Sequence, residues 1–408
     1  MLFNFCGIFF CLYIRGKKAM NEEVVAWCAL NRVFGYHPSI ALNLLNTYGS
    51  ASELFRCHPP LPANPDLSDQ LSQATLDWAS RELESVDRLG CRFIHLGDDD
   101  YPVPLSECED PPLGLYLRGS SSPAEIFSLR PMVAIVGTRD VSPYGSIWCK
   151  RIVNAMAEAT VKPCIVSGLA FGVDGTAHST ALEHGLSTIG VMATGIETVY
   201  PAQHRELASR IAASPGCALV TDYPLRSEPV ALSFVRRNRI IAGLAGSVTV
   251  IESRKKGGSL MTAKYACDYN RDVFAVPGRL DDVRSSGCNS LIAAHMAEIV
   301  TSPEELVEKL GLMPRSRRKA DRRSAFRRAI GARHVAAGGH AGTGVCRSAA
   351  AMETVGLCVF DNPGVGFAEI SALTSLPYAT VLECAGILEA DGLIVTDLLQ
   401  RCSPAAKW

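Results

Sequence analysis

No two of the fifteen cysteines are spaced as C-x-x-C, and the nine histidines fall into no metal-ligand spacing. A zinc site or a disulfide framework is thereby disfavoured, and reduced thiols in a cytosolic protein are the simpler reading. Excess charge is missing too: 40 Lys and Arg against 41 Asp and Glu leave a net charge of -1. A nucleic-acid partner would therefore have to be met by local patches and not by a global field. Nor is there an apolar run long enough to span a bilayer, so no membrane partner is expected. The nearest approach, Met1 to Ile14, is short, and its basic neighbours Arg15, Lys17 and Lys18 follow it instead of preceding it as in a signal peptide. Met20 opens an amphipathic segment, so translation is expected to start there, with 1–19 a misread leader.

Two nucleotide signatures are absent as well. The loop beginning at Gly137 lacks GxGxxG, and no acidic residue ends the next strand where a ribose hydroxyl would need one. A GxxxxGK[ST] phosphate loop is not found either. A dinucleotide and the common form of nucleotide hydrolysis are disfavoured, and no cofactor is expected.

What is present is a chain of 408 residues, long enough for about two to four domains. Residues 20–90 read as short helices broken at Gly35-Tyr-His-Pro-Ser39 and Tyr48-Gly-Ser50. They suit either a helix-hairpin-helix-like (SAM-like) module or a helical docking domain; a single Gly and no nearby Lys in the first turn favour the latter. Strands are expected at Cys91–Leu96 and Leu113–Leu117. From Met132 onward short apolar runs alternate with helices, at 132–136, 164–166, 188–192, 218–220, 248–251 and 273–276. Near-continuous apolar strands between helices predict a Rossmann-like α/β domain over 91–311, a parallel sheet covered on both faces, with ligands beyond the carboxyl ends of its strands.

Glycine, serine and arginine gather at those ends: Gly137-Thr-Arg-Asp, Ser167-Gly-Leu-Ala-Phe-Gly172 and Ser253-Arg-Lys-Lys-Gly-Gly-Ser259. Glycine lets a backbone approach a phosphate, and a following helix start offers free N–H groups. The stretch Ser233-Phe-Val-Arg-Arg-Asn-Arg239 reads as a helix start carrying three arginines. Cations there oppose the helix dipole unless an anion sits in front of them, and Phe234 offers a face for a base. The alternative is a surface helix whose arginines pair with distant carboxylates and whose Phe234 is core. Asp174 and His178, four residues apart, suit a general acid–base pair or, more simply, a helix cap with a packed histidine.

Residues 312–351 are Arg-rich, then Gly- and Ala-rich, with few large apolar side chains, and read as a flexible basic linker. Residues 352–408 suggest a winged helix. Between Leu357 and Gln400, however, there are six acidic residues and no Lys or Arg, so phosphate would be repelled and a protein contact is the better expectation.

The runs Val133-Ala-Ile-Val-Gly-Thr-Arg139, Ser167 to Asp174 with Ala177-His178, Tyr200-Pro201, Phe234 with Arg237-Asn-Arg-Ile-Ile-Ala-Gly243, Gly258-Ser-Leu-Met-Thr-Ala263 and Val276-Pro-Gly278 resemble the DNA-processing protein A (DprA/Smf) family. The resemblance covers about 22–311 and, more weakly, the winged helix. It implies a homodimeric cytoplasmic protein, not an enzyme, that binds single-stranded DNA and loads the RecA recombinase onto it during natural transformation. It also implies that Arg139 grips a phosphate, Phe234 stacks on a base, and Arg237, Asn238 and Arg239 line the same pocket, with Gly258 and Ser259 donating N–H groups. Gly137, Thr138, Ser167, Gly168, Gly172, Arg236, Lys255 and Gly257 complete the expected DNA-binding set. Two departures stand out: Thr138 where serine is usual, and Ala294-His-Met-Ala297 where a Gly-Ala pair is usual. Rival readings are a nucleoside-monophosphate phosphoribohydrolase, whose PGGxGTxxE signature lacks its acid here, and a winged-helix transcription regulator, which the acidic C-terminus weakens.

Overall fold

The computed structural model describes residues 21–127, 130–312, 323–331, 349–397 and 399–405. The leader thus lies outside the described residues. The chain divides into two compact units, Met1–Leu312 and Met313–Trp408.

The first unit is built on nine strands: β1 (Arg92–His95), β2 (Gly114–Arg118), β3 (Met132–Val136), β4 (Cys164–Ser167), β5 (Thr188–Val191), β6 (Ala218–Thr221), β7 (Ser247–Val250), β8 (Asp272–Ala275) and β9 (Glu298–Ile299). They form one sheet in the order β1-β2-β6-β5-β4-β3-β7-β8-β9. Pairing is parallel from β6 to β9, while β2 joins β6 antiparallel and β1 pairs with β2. Every residue of β3, β4, β5, β6 and β7 is buried, which is why these strands appear in the sequence as short, mainly apolar runs in which Ser and Thr are the only polar residues. Neighbouring residues feed different cores: Val220 packs with Val191 and Ile240 on one face, and Leu219 with Ile211 and Met192 on the other. The chain runs outward from β3 through β4, β5 and β6, then returns so that β7 lies on the other side of β3. The crossover direction reverses there, which opens a crevice between the carboxyl ends of β3 and β7.

Four helices border that crevice: α1 (Pro143–Glu158), α2 (Val173–Glu183), α3 (Ala231–Leu244) and α4 (Ser259–Asp268). Helix α1 starts at Ser142, whose hydroxyl accepts the Gly145 N–H at 3.1 Å, with Pro143 in the first turn. Helix α3 begins just after Pro229, two residues earlier than the arginine-rich stretch suggested.

Helices Glu22–Phe34, Pro38–Tyr48, Ala51–Cys57 and Gln73–Arg88 bury Trp27, Leu30, Phe34, Leu54 and Leu83 in a core of their own. They dock on the sheet through Trp27 stacked on His95 at 4.9 Å and an Asn31 amide donating to the Asp222 carbonyl at 2.9 Å. At the end of the sheet domain, where Ala294-His-Met-Ala297 departs from the usual Gly-Ala, the helix Ser286–Ala293 still forms. His295 follows it at φ 55°, the left-handed region that a glycine would occupy without strain.

The second unit holds helices Ala349–Asp361, Phe367–Thr374 and Tyr378–Ala390. Its three-stranded antiparallel sheet has the order β10 (Val365–Gly366), β12 (Arg401–Pro404), β11 (Ile394–Thr396). One expectation is corrected here. Residues 323–331 of the supposed linker are helical, and Phe326 and Ile330 are buried in this unit's core, Phe326 against Phe360 at 5.2 Å. Arg323 pairs with Asp361 at 2.9 Å and Arg327 with Glu353 at 2.5 Å, so part of the basic run neutralises its own helix neighbours. Arg315, Arg317, Arg318 and the Gly- and Ala-rich stretch lie outside the described residues. Among the described residues no single helix is long and apolar enough to cross a membrane. The bent pair Phe367–Thr374 and Tyr378–Ala390 passes only when the two are taken together.

Candidate nucleic-acid interface

The crevice between β3 and β7 opens into a cavity of about 700 Å³. One wall is the loop after β3. Thr138 N–H donates to the Glu252 carbonyl at 2.7 Å, and the buried Glu252 carboxylate accepts from Ser142 N–H at 2.8 Å and from the Ser142 hydroxyl at 2.6 Å. The second residue after β7 therefore clamps the loop after β3 and fixes the mouth of the crevice. Gly137 has no room for a side chain, since a Cβ would fall 2.9 Å from Val173 Cβ and 3.1 Å from the Glu252 carbonyl. Thr138 uses its hydroxyl locally, accepting the Asp140 N–H at 3.2 Å. Serine would serve that turn equally well.

The facing wall is α3. Phe234 is half-buried; its ring meets Tyr200 edge-on at 5.2 Å, and the Arg139 guanidinium lies 5.0 Å from its centre. Tyr200, 46% exposed, and exposed Arg139 leave this aromatic and cationic cluster open at the rim. The third wall is the loop after β7 with the start of α4. There Gly257, Gly258 and Ser259 line the cavity beside Arg254 and Lys256, and helix α4 has no side-chain cap at Gly258. Such an end suits an anion.

Arg237 forms the floor, 4% exposed, donating to the carbonyls of Gly168 and Val191. Burial draws its pKa down to about 10, Asp174 opposing and Arg139 adding to the shift, so it remains a cation at neutral pH. Burial raises the Asp174 carboxyl, against the pull of Arg237 and of backbone N–H groups such as Ala170, 3.4 Å away. The charged side chains lining the cavity are Arg139, Arg237, Arg254 and Lys256 against Asp174 alone, a net excess of positive charge facing one opening.

Of the expected binding residues, Gly137, Thr138, Arg139, Phe234, Arg237, Asn238, Gly257, Gly258 and Ser259 line this cavity. Six do not line it. Arg239 is buried behind α3 in an ion pair with Asp222 at 2.9 Å and near Asp110 at 3.5 Å. Arg236 turns to the N-terminal helices, lying 3.9 Å over the Tyr36 ring and donating to the Gly35 carbonyl. Successive helix residues are rotated by about 100°, so Arg237 faces the cavity floor while Arg236 and Arg239, about 60° apart, are both turned away from it. All three also lie beyond the first turn of α3, which removes the dipole argument for an anion. Ser167 and Gly168 support the floor from below, Ser167 through a 2.6 Å bond to the Ile135 carbonyl and Gly168 through its carbonyl to Arg237. Gly172, at φ 76°, backs onto the Thr138 carbonyl. Lys255 is exposed outside the cavity, while its neighbours Arg254 and Lys256 line it.

Tyr200 and Asp174 were not in the expected set as lining residues; Tyr200-Pro201 was visible as a motif, but nothing in its spacing pointed to the cavity. The Asp174–His178 pair is not an acid–base couple. His178 is wholly buried, with Nδ1 2.7 Å from Thr188 Oγ1, and burial holds its pKa down to about 3.

Comparison with known proteins places these residues in a family. The model of the family described as DNA recombination-mediator protein A matches residues 92–311. The chain belongs to that family. "Protein Smf" of Synechocystis sp. is 35% identical over 72% of this chain and 74% of its own length. Among solved structures, DNA processing protein A (DprA) from Streptococcus pneumoniae is 28% identical with a TM-score of 0.53, covering 73% of this chain and 96% of that one. DNA processing protein A from Helicobacter pylori, described for its single-stranded DNA binding mode, is 27% identical with a TM-score of 0.48, covering 54% of this chain and 95% of that one. The family matches a mixed α/β fold and a role in DNA processing.

Proposed function

We propose that the chain binds single-stranded DNA in the crevice between β3 and β7 and passes it to a RecA-type recombinase, acting in the cytoplasm as a homodimer. The observation that carries this reading is the rim cluster, where Arg139 and Tyr200 flank Phe234 and Arg254 and Lys256 face it across the opening. A flexible strand can place a base on an aromatic face while its phosphates meet the cations, whereas the bases of a duplex are held in their own stack. The helix end at Gly258 and Ser259 adds N–H groups to the phosphate side. Handover to RecA and dimer formation rest on family membership. The second unit is read as a winged helix that contacts protein, because its acidic residues disfavour phosphate.

A phosphoribohydrolase reading has one observation in its favour, the Asp174 carboxyl on the cavity wall with its pKa raised by burial. The Arg237 charge offsets it and it accepts from the Ala170 N–H, and Gly257-Gly258 is followed by Ser-Leu-Met-Thr with no acid. Binding of single-stranded and duplex oligonucleotides at two salt concentrations tests the proposal, alongside an assay for free base released from a nucleoside monophosphate. Preference for the single strand at both salts with no base released is expected; equal binding of duplex, or steady release of base, would overturn it.

A further inference from the structure

One face of α1 carries aromatic and cationic side chains that the cavity does not use. Tyr144, 42% exposed, Ile147, 50% exposed, Trp148 and Arg151 follow one another at helical spacing. The Tyr144 and Trp148 rings are 6.0 Å apart, and the exposed Arg151 guanidinium lies 5.7 Å from the centre of the Trp148 ring. Tyr144 is anchored at its far end, its hydroxyl donating to the Pro277 carbonyl at 2.6 Å, so the ring is held in place while much of it stays open.

This face is continuous with the cavity. Arg254 on the cavity wall reaches Asp140 at 3.3 Å, and Arg284 meets the same carboxylate at 3.0 Å and the Asp140 carbonyl at 3.3 Å. Asp140 leads through the Ser142 cap into α1. From the cavity outward come Arg254 and Arg284, joined through Asp140, then the two rings Tyr144 and Trp148, then Arg151. Tyr, Trp and Arg also favour protein interfaces, but continuity with a cationic cavity favours a strand of nucleotides here, its bases stacking on the two rings and its phosphates meeting the cations at either end.

We infer that α1 is an exit track for the single strand, Tyr144 and Trp148 stacking on bases that have left the cavity while Arg284 and Arg151 meet their phosphates. The inference rests on the cavity being the single-strand site. Tyr144 to Arg151 spans seven residues, about 10 Å of helix, room for about three nucleotides at a stacked spacing of about 3.4 Å.

Length dependence tests it. Two thymidine oligonucleotides, of about 4 and about 12 nucleotides, are titrated into the full chain with tryptophan fluorescence and with an independent affinity measurement. Trp148 is the only tryptophan on this track, so the longer strand should quench fluorescence and the shorter should bind without quenching. Trp148→Phe should abolish the quench while keeping most of the affinity. Trp148→Ala and Arg151→Ala should each weaken the longer strand about tenfold and leave the shorter unchanged. Quenching that persists in Trp148→Phe, or alanine variants that bind both lengths like the wild type, would overturn the track. So would a change of oligomeric mass in Trp148→Ala with no change in length dependence, the signature of a face between copies. Failure of the cavity itself reads differently, since Phe234→Ala would then leave the affinity for the shorter strand intact.

Discussion

Replacing Phe234 by alanine removes the ring at the centre of the rim cluster and leaves the rest of the crevice in place. The ring is half-buried and touches Tyr200 only edge-on, so folding should lose about 1 to 2 kcal/mol, less than the about 3 to 5 expected for a fully buried phenylalanine. Affinity for a single strand should fall by about 1 to 3 kcal/mol, roughly 5- to 150-fold, with little change in its salt dependence. Arg139→Ala should behave differently. It removes a phosphate partner, so the slope of log affinity against log salt should shrink by about 0.7. Because the Arg139 guanidinium lies 5.0 Å from the Phe234 ring centre, the two changes should not be additive, and the double variant should recover about 0.5 to 1 kcal/mol against the sum of the singles. Fluorescence anisotropy with a labelled oligonucleotide across a salt series reads all three quantities, after thermal melts show each variant folded. A folded Phe234→Ala protein with wild-type affinity would refute the stacking assignment, and an Arg139→Ala variant with an unchanged slope would refute the phosphate assignment.

Three further outcomes are expected. Arg239→Met should cost about 3 to 5 kcal/mol in urea unfolding, because it strands the nearly buried Asp222 carboxylate, yet it should leave the salt slope for single strands unchanged. Folded His178 has its pKa held near 3 against an ordinary 6.5, so below pH 6.5 the unfolded chain takes up a proton that the folded chain refuses. Stability should therefore fall as pH drops from about 6.5 toward 3, by up to about 1.4 kcal/mol per pH unit from this group, and urea midpoints of His178→Gln should lose that part of the acid limb. Phe326→Ala should destabilise the second unit by about 3 to 5 kcal/mol without weakening a single strand held in the first, read by calorimetry and binding on the same sample.

The sheet was legible because strands buried on both faces are largely apolar, as Met132 to Val136 and Ala218 to Val220 are. The two-residue β9, with both residues exposed, carries no such mark. The loops of the crevice were legible for a related reason, since Gly137 is forced by the closeness of Val173 and the Glu252 carbonyl. The arginines of α3 are adjacent in sequence but not in space, which the run of residue types does not reveal. The helical rotation parts Arg237, on the floor, from Arg236 and Arg239, whose long side chains then reach different partners, Tyr36 and Asp222. Tyr200 could not be placed from sequence because an irregular segment after β5 brings it to Phe234. The helix over 323–331 was hidden because two apolar side chains four apart, Phe326 and Ile330, stand among arginines that dominate the local composition.

The central claim is that a single strand lies in the crevice between β3 and β7, and photocrosslinking tests it most directly. A thymidine oligonucleotide carrying one 5-iodouridine is bound to the full chain, irradiated, and the crosslinked peptides are identified by mass spectrometry. The account predicts attachment at Tyr200 or Phe234, lost in Phe234→Ala as the affinity falls. Crosslinks confined to the second unit, or unchanged in yield and position when Phe234 and Arg139 are both replaced, would contradict it.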